Sequence, residues 1–160
     1  MTQKQPTSNM MKNDPIVVEQ TYNAPLSKVW AALTDRNDMK QWYFDIAEFK
    51  PEIGFEFQFL AGSDNKKYMH RCKISEVTMG KKISYSWQYD GYEGYSFVSF
   101  ELHKAGQKTK ITLTHTGVET FPMNNSDFAR ESFVKGWTYI IGTSLKKFIE
   151  KSTSMNEVKA

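Results

Sequence analysis

The last third of this chain carries a long helical pattern, and almost everything between it and residue 44 reads as strand. From Phe128 to Ile149, Phe133, Trp137, Ile140, Ile141, Leu145 and Phe148 recur at three- and four-residue steps, which sets them on one broad stripe of a 3.6-residue helix. At 1.5 Å per residue, about 22 residues run roughly 33 Å, the width of a small domain. One such helix must cover one sheet. A sheet that curls around a helix leaves a hollow between them, and hollows lined by apolar side chains hold small molecules.

The strand pattern is regular. Ile16, Val18 and Tyr22 open it, and Pro25 then stands where a helix start tolerates a missing N–H, followed by Leu26, Val29, Trp30 and Leu33 as a short amphipathic helix. Asp35 or Asn37 can cap a second short turn carrying Met39 and Trp42. Beyond Trp42 the period falls to two. Phe44 and Ile46 alternate with Asp45, Phe55, Phe57 and Phe59 with Glu56 and Gln58, and Tyr68, His70, Cys72 and Ile74 share one face of a further strand. Ile83, Tyr85, Trp87 and Tyr89 follow, then Val98, Phe100 and Leu102, then Ile111 and Leu113, each run separated by a short turn containing Gly or Asp. The expected fold is α+β, a curved antiparallel sheet of about seven strands wrapped around a helix over 127–150, with two short helices after the first strand. Ser126 or Asp127 is the expected cap of that helix.

Length and composition set the class. With 160 residues the chain makes one domain. Residues 1–14 read as a disordered tail, 15–151 as the domain and 152–160 as a frayed end. No apolar run approaches the ~18 residues of a membrane span, and the polar first residues hold no signal core, so integral membrane association is not expected. The lone Cys72 makes no internal disulfide, and a reducing, cytoplasmic setting is the expectation. Net charge is +3, from 21 basic and 18 acidic residues that are scattered, which argues against nucleic acid as a partner. Aromatic content is 14%, from 11 Phe, 8 Tyr and 4 Trp, more ring surface than a tightly filled small core requires.

The order and spacing of several segments carry a resemblance. Ala24-Pro25, then Val29-Trp30-Ala31-Ala32-Leu33-Thr34, then Trp42, are followed downstream by Val98-Ser99-Phe100-Glu101-Leu102, by Ile111 through Gly117, and by Gly136-Trp137. Together, over Pro15 to Lys151, they resemble the START-like superfamily of polyketide cyclases, lipid-transfer domains and birch-pollen-allergen-like proteins. Within it they look like the branch named after activators of the 90-kDa heat-shock protein ATPase. The resemblance implies a helix-grip fold. The namesake co-chaperones carry an additional amino-terminal domain, and the match here is to their carboxy-terminal one. This superfamily hosts binding, transport, cyclisation and co-chaperone roles on one frame, so fold does not carry function.

Catalysis needs a poised acid, base or nucleophile, and none stands out. The sequence has no G-x-S-x-G, no G-x-G-x-x-G after a strand and no P-loop lysine. His70 and Cys72 share a strand face, but zinc wants three or four ligands, so neither a metal nor a cofactor is expected. His103 ends a strand beside Lys104 and is expected to be exposed; His115 ends the last strand, near the cavity mouth in the family picture, where it can hydrogen-bond a ligand or act as a base. Trp42, Phe57, Phe59, Tyr85, Trp87 and Trp137 are the candidates for a ring-lined interior. Gly136 and Gly142 inside the helix leave room beside Trp137, allow close approach to the sheet, or mark a bend.

The expected function is non-catalytic binding of a small apolar or aromatic molecule between Trp137, Ile141 and the inward rings of the central strands, with Tyr85 or His70 fixing its orientation. A cyclase- or aromatase-like enzyme and a co-chaperone-like interaction module are the alternatives. Tyr92 and Tyr95 near a loop are candidates for a homodimer contact.

Overall fold

A computed structural model describes residues 14–62 and 65–151. The tail and frayed end read over 1–14 and 152–160 lie outside them, Asp14 excepted. Strand β1 (Ile16–Tyr22) leads into helices α1 (Leu26–Thr34) and α2 (Arg36–Trp42). Strands β2 (Glu56–Gly62), β3 (Lys67–Thr78), β4 (Lys82–Tyr89), β5 (Ser96–Ala105) and β6 (Lys108–Thr116) follow, and two single 3-10 turns, Val118–Thr120 and Ser126–Phe128, lead to α3 (Arg130–Tyr139). The strands form one antiparallel sheet in the order β1-β6-β5-β4-β3-β2. Sequence neighbours are spatial neighbours except at β1, which returns to pair with β6. In β3 the register slips between Ile74 and Glu76, and such a bulge bends the strand.

The described residues hold six strands where about seven were expected. The missing one is the Phe44 to Ile46 segment. Its alternation is real, for Ile46 is buried and Phe44 stacks on Phe59 with ring centroids 4.2 Å apart. It nevertheless forms no ladder, because both side chains dock from an irregular segment that follows the distorted cap of α2 at Tyr43 (φ −111°, ψ −103°). Period two reports which side chains face inward, not whether the backbone is paired.

The two short helices form as expected. Pro25 is the extended N-cap residue of α1, and Asp35 caps α2 by accepting from the N–H groups of Asn37 and Asp38. The indole of Trp42 donates to the Ala32 carbonyl over 2.8 Å and ties α2 back onto α1. Ser144 donates in turn to the Trp42 carbonyl over 2.7 Å, which fixes this pair to the closing helix.

The closing helix departs from expectation at three points. Its regular turns begin at Arg130, not at residue 127, because Ser126–Phe128 forms a separate 3-10 turn capped by Asn125. Ser126 and Asp127 therefore do not cap it; its N-cap residue is Ala129, in extended conformation with no side-chain bond. Third, Ile140–Ser144 forms a π-turn, after which α-helix resumes over 145–151. The hydroxyl of fully buried Tyr22 donates to the Ile141 carbonyl in that turn over 2.7 Å.

The π-turn explains which side chains reach the sheet. In a pure α-helix each four-residue step rotates about 40° past a full turn, so Phe133, Trp137, Ile141, Leu145 and Ile149 would spiral off the sheet. The wider π-turn winds roughly one extra residue into a single turn and returns the row to its starting face. All five are buried, whereas Ile140 and Phe148, placed on the stripe by uninterrupted α periodicity, are half-buried. The rest of the core lies beneath that row, with Val98, Phe100, Ile111 and Leu113 almost fully removed from solvent. No described helix is long and apolar enough to cross a membrane.

Candidate aromatic ligand cavity

Alternation in β3 and β4 turns Tyr68, His70, Trp87 and Tyr89 to the same side, toward the N-terminal half of α3. Phe133, Gly136, Trp137 and Ile140 face them at helical spacing. Phe44 and the Ala61-Gly62 end of β2 close one flank, and Asp127 and Phe128 of the 3-10 turn close the other. They surround an open cavity of about 360 Å³. That lies within the size range of small-molecule sites.

The walls are mostly rings. Trp87 and Trp137 lie 5.2 Å apart between centroids, His70 stands edge-on to Trp87 at 5.0 Å, and Tyr89 packs against Phe128 at 4.6 Å. Tyr68 joins the same cluster, 5.0 Å from Phe128. Edge-on and tilted pairs of this kind match the ring quadrupoles and hold each ring in one orientation.

The two indole N–H groups do not point their hydrogen-bonding capacity at the cavity. Trp87 Nε1 donates to the Tyr89 hydroxyl over 2.9 Å, and Trp137 Nε1 donates to His115 Nδ1 over 2.9 Å. The second bond begins a chain whose direction is determined. An indole N–H can only donate, so Nδ1 of His115 carries the lone pair and Nε2 the proton in the neutral ring. Nε2–H then donates to Ser96 Oγ over 2.9 Å, and Ser96 donates to the Trp87 carbonyl over 2.7 Å. Burial pushes the His115 pKa down to about 3.

His70 is fixed differently. Its Nδ1 lies 2.9 Å from the Tyr68 carbonyl, which can only accept, so Nδ1 holds the proton and Nε2 is the bare nitrogen. Burial lowers its pKa to about 4, against the opposing pull of the Tyr68 and Phe59 carbonyls. Both buried histidines are neutral near pH 7. Asp127 is exposed at the rim, where its Oδ2 accepts from the Tyr68 hydroxyl over 2.7 Å. Ser132, also on the lining, spends its hydroxyl proton on the Ser126 carbonyl.

Of the residues singled out from sequence, His70, Trp87 and Trp137 come together on the cavity wall. The others stand behind it. Trp42 is held by Ala32, Phe57 packs edge-on to Tyr85 at 4.9 Å, and the Tyr85 hydroxyl meets the Tyr43 hydroxyl at 2.8 Å in the core. Phe59 lies between Phe44 and His70, and Ile141 is fully buried in the π-turn. The hollow is thus displaced toward the first turns of α3, because rings of the central strands and Tyr43 fill the space farther along. His115 does not line it and has both ring nitrogens engaged, so the place at the mouth and the role of base expected for it do not fit.

Tyr68, Tyr89, Phe128, Phe133 and Asp127 were not singled out as lining residues, although a signal was present for three of them. Tyr68 shares its strand face with His70, Tyr89 shares one with Trp87, and Phe133 lies four residues before Trp137. His103 is exposed as expected, and no cluster of metal-ligating side chains occurs among the described residues. Cys72 is buried, and burial raises its thiol pKa well above the usual value. Gly136 lines the cavity, and a Cβ there would meet nothing within 4 Å, so it leaves room and does not serve close approach.

Comparison with known proteins places this arrangement. DynU16, from the dynemicin biosynthetic locus, superposes with a TM-score of 0.70 at 19% identity, over 87% of this chain and 48% of that one. This chain therefore spans about half the length of DynU16. Protein CV1439 from Chromobacterium violaceum gives 0.72 at 20% identity, over 88% of this chain and 99% of that one. CalU16 from Micromonospora echinospora gives 0.65 at 24% identity, over 84% and 73%. Identities this low establish a shared fold. No protein with a curated functional description matches. Residues 23–150, which run from the turn before α1 to the end of the closing helix, match the family described as activator of Hsp90 ATPase homolog 1-like proteins, and the chain belongs to that family.

Proposed function

We propose that this protein binds, without converting it, a small molecule with an apolar or aromatic body in the cavity between Trp87 and Trp137. One observation carries the reading. Both indoles spend their N–H groups inside the protein, so what they offer to a space of about 360 Å³ is apolar ring surface. Desolvation of the ligand supplies the affinity, at about 25 cal/mol per Å² of apolar surface buried. His70, with one ring nitrogen held by a carbonyl and the other bare, is the polar contact that orients the ligand. Non-catalytic binding accords with the engagement of both ring nitrogens of His115 away from the cavity.

The test uses a substitution that fills the hollow and spares the core. Phe133, Gly136, Trp137 and Ile140 share one helix face, so a leucine side chain at 136 grows toward the cavity from a position with open space around it. Gly136→Leu is expected to keep the circular dichroism spectrum, with a thermal midpoint no lower than the wild type's, and to abolish binding of a neutral fluorescent probe such as Nile red. It should also lose any small molecule that native mass spectrometry finds on the wild-type protein. Unaltered probe binding by the folded variant would place the ligand elsewhere.

A further inference from the structure

We infer that the ligand carries a positive charge, as an amine or quaternary ammonium attached to its apolar or aromatic body; this rests on the cavity reading above. Among the described residues, Asp127 is the one charged side chain on the lining, with no lysine or arginine beside it, and His70 is neutral with its Nδ1–H committed to a carbonyl. A carboxylate ligand would meet no lysine or arginine on the described lining, only Lys66 above the Tyr68 ring, and the Asp127 anion at the rim. The Asp127 carboxylate is held in place by the Tyr68 hydroxyl at Oδ2, and Oδ1 accepts no hydrogen bond among the described residues. An ammonium group at the rim thus meets an oriented carboxylate with one oxygen to spare.

The rings point the same way. The faces of Tyr68, Tyr89, Trp87 and Trp137 carry the negative part of the ring quadrupole, while the positive indole N–H edges are already consumed inside the protein. Such walls attract cations. Lys66 Nζ lies 5.6 Å from the Tyr68 ring centroid, a distance at which a ring face attracts an ammonium. Arg130, near in sequence, turns its guanidinium away to the carbonyls of Asp14 and Pro15. The net charge of the chain, +3, repels cations at long range, so the preference is a property of this site alone.

Three probes that share one ring system separate charge from shape: 1-naphthylmethylamine, 1-naphthylmethanol and 1-naphthoate, titrated at pH 7 by calorimetry and tryptophan fluorescence. The amine is expected to bind about tenfold tighter than the alcohol, with the carboxylate weakest. Asp127→Asn should bring the amine down to the level of the alcohol and leave the alcohol unchanged. Added salt should weaken the amine and spare the alcohol. Amine and alcohol binding within twofold of each other, or tightest binding by naphthoate, would overturn the charge preference and leave the cavity reading standing. If none of the three binds while the protein is folded, the cavity reading fails and takes this inference with it.

Discussion

Trp137 Nε1 donates to Nδ1 of His115 across 2.9 Å, and that bond decides the chemistry of both residues. It fixes the histidine as its Nε2–H tautomer, draws the indole edge out of the cavity, and links the closing helix through Ser96 to the backbone of β4 at Trp87. Trp137→Phe keeps a ring at the wall but leaves a buried nitrogen without a donor. Its expected loss of stability is about 1–3 kcal/mol in urea unfolding. Nitrogen-15 NMR of the wild-type protein should show His115 protonated at Nε2; an Nδ1–H tautomer would contradict the chain of bonds described.

The two buried histidines make stability depend on pH in a defined direction. Their folded pKa values, about 4 for His70 and about 3 for His115, lie below the usual 6.5, so the unfolded chain binds protons first as pH falls. Their contribution is complete above about pH 6.5 and is lost progressively as pH drops toward the folded values. Urea midpoints at pH 7.5, 6.0 and 5.0 should therefore fall in that order. The interval from 6.5 to 5 isolates the histidines because carboxylates titrate mostly lower. A flat profile across it would show that one or both rings are already accessible to protons.

Tyr22 contributes through one oxygen. Its buried hydroxyl donates to the Ile141 carbonyl in the π-turn over 2.7 Å, and burial, with help from Glu150, raises its pKa far above the ordinary value. Tyr22→Phe should lower stability by about 1 kcal/mol and leave the ring packing intact. Hydrogen exchange at the amides of residues 140–145 should speed up in the same variant. Equal exchange in both proteins would mean that the turn is held without the tyrosine.

Gly136 offers a gain. It sits inside α3 with nothing within 4 Å of where a Cβ would stand, so the added methyl group has no steric penalty. Gly136→Ala should stabilise the protein by about 1 kcal/mol by raising helix propensity. A lower thermal midpoint for this variant would show that the glycine serves backbone conformation and not the space beside it.

What could be read from the chain alone follows from what periodicity encodes. Inward residues of β5 and β6 came out correctly because alternation and burial coincide there, as at Val98, Phe100, Ile111 and Leu113, and the rings of β4 came out although Ser84 and Ser86 between them are buried too. Phe44 and Ile46 misled because a docked irregular segment buries alternate residues without pairing. The stripe on the closing helix was displaced at Phe148, where Ile149 is buried instead, since an inserted π-turn leaves no mark in composition. The cavity wall was legible in kind, as aromatic rings with a histidine, and at three residues, His70, Trp87 and Trp137. Its position was not, for that depends on which rings fill the hollow, and Tyr43 and Phe59 fill its far part through contacts distant in sequence.

The widened turn at Ile140–Ser144 has a wider meaning. It separates one rod into two segments with different duties, the earlier one bordering empty space and the later one seated on solid packing. On the binding function proposed above, changes at cavity-lining positions before residue 140 alter which guest is accepted, and changes beyond 144 act on how firmly the host holds together.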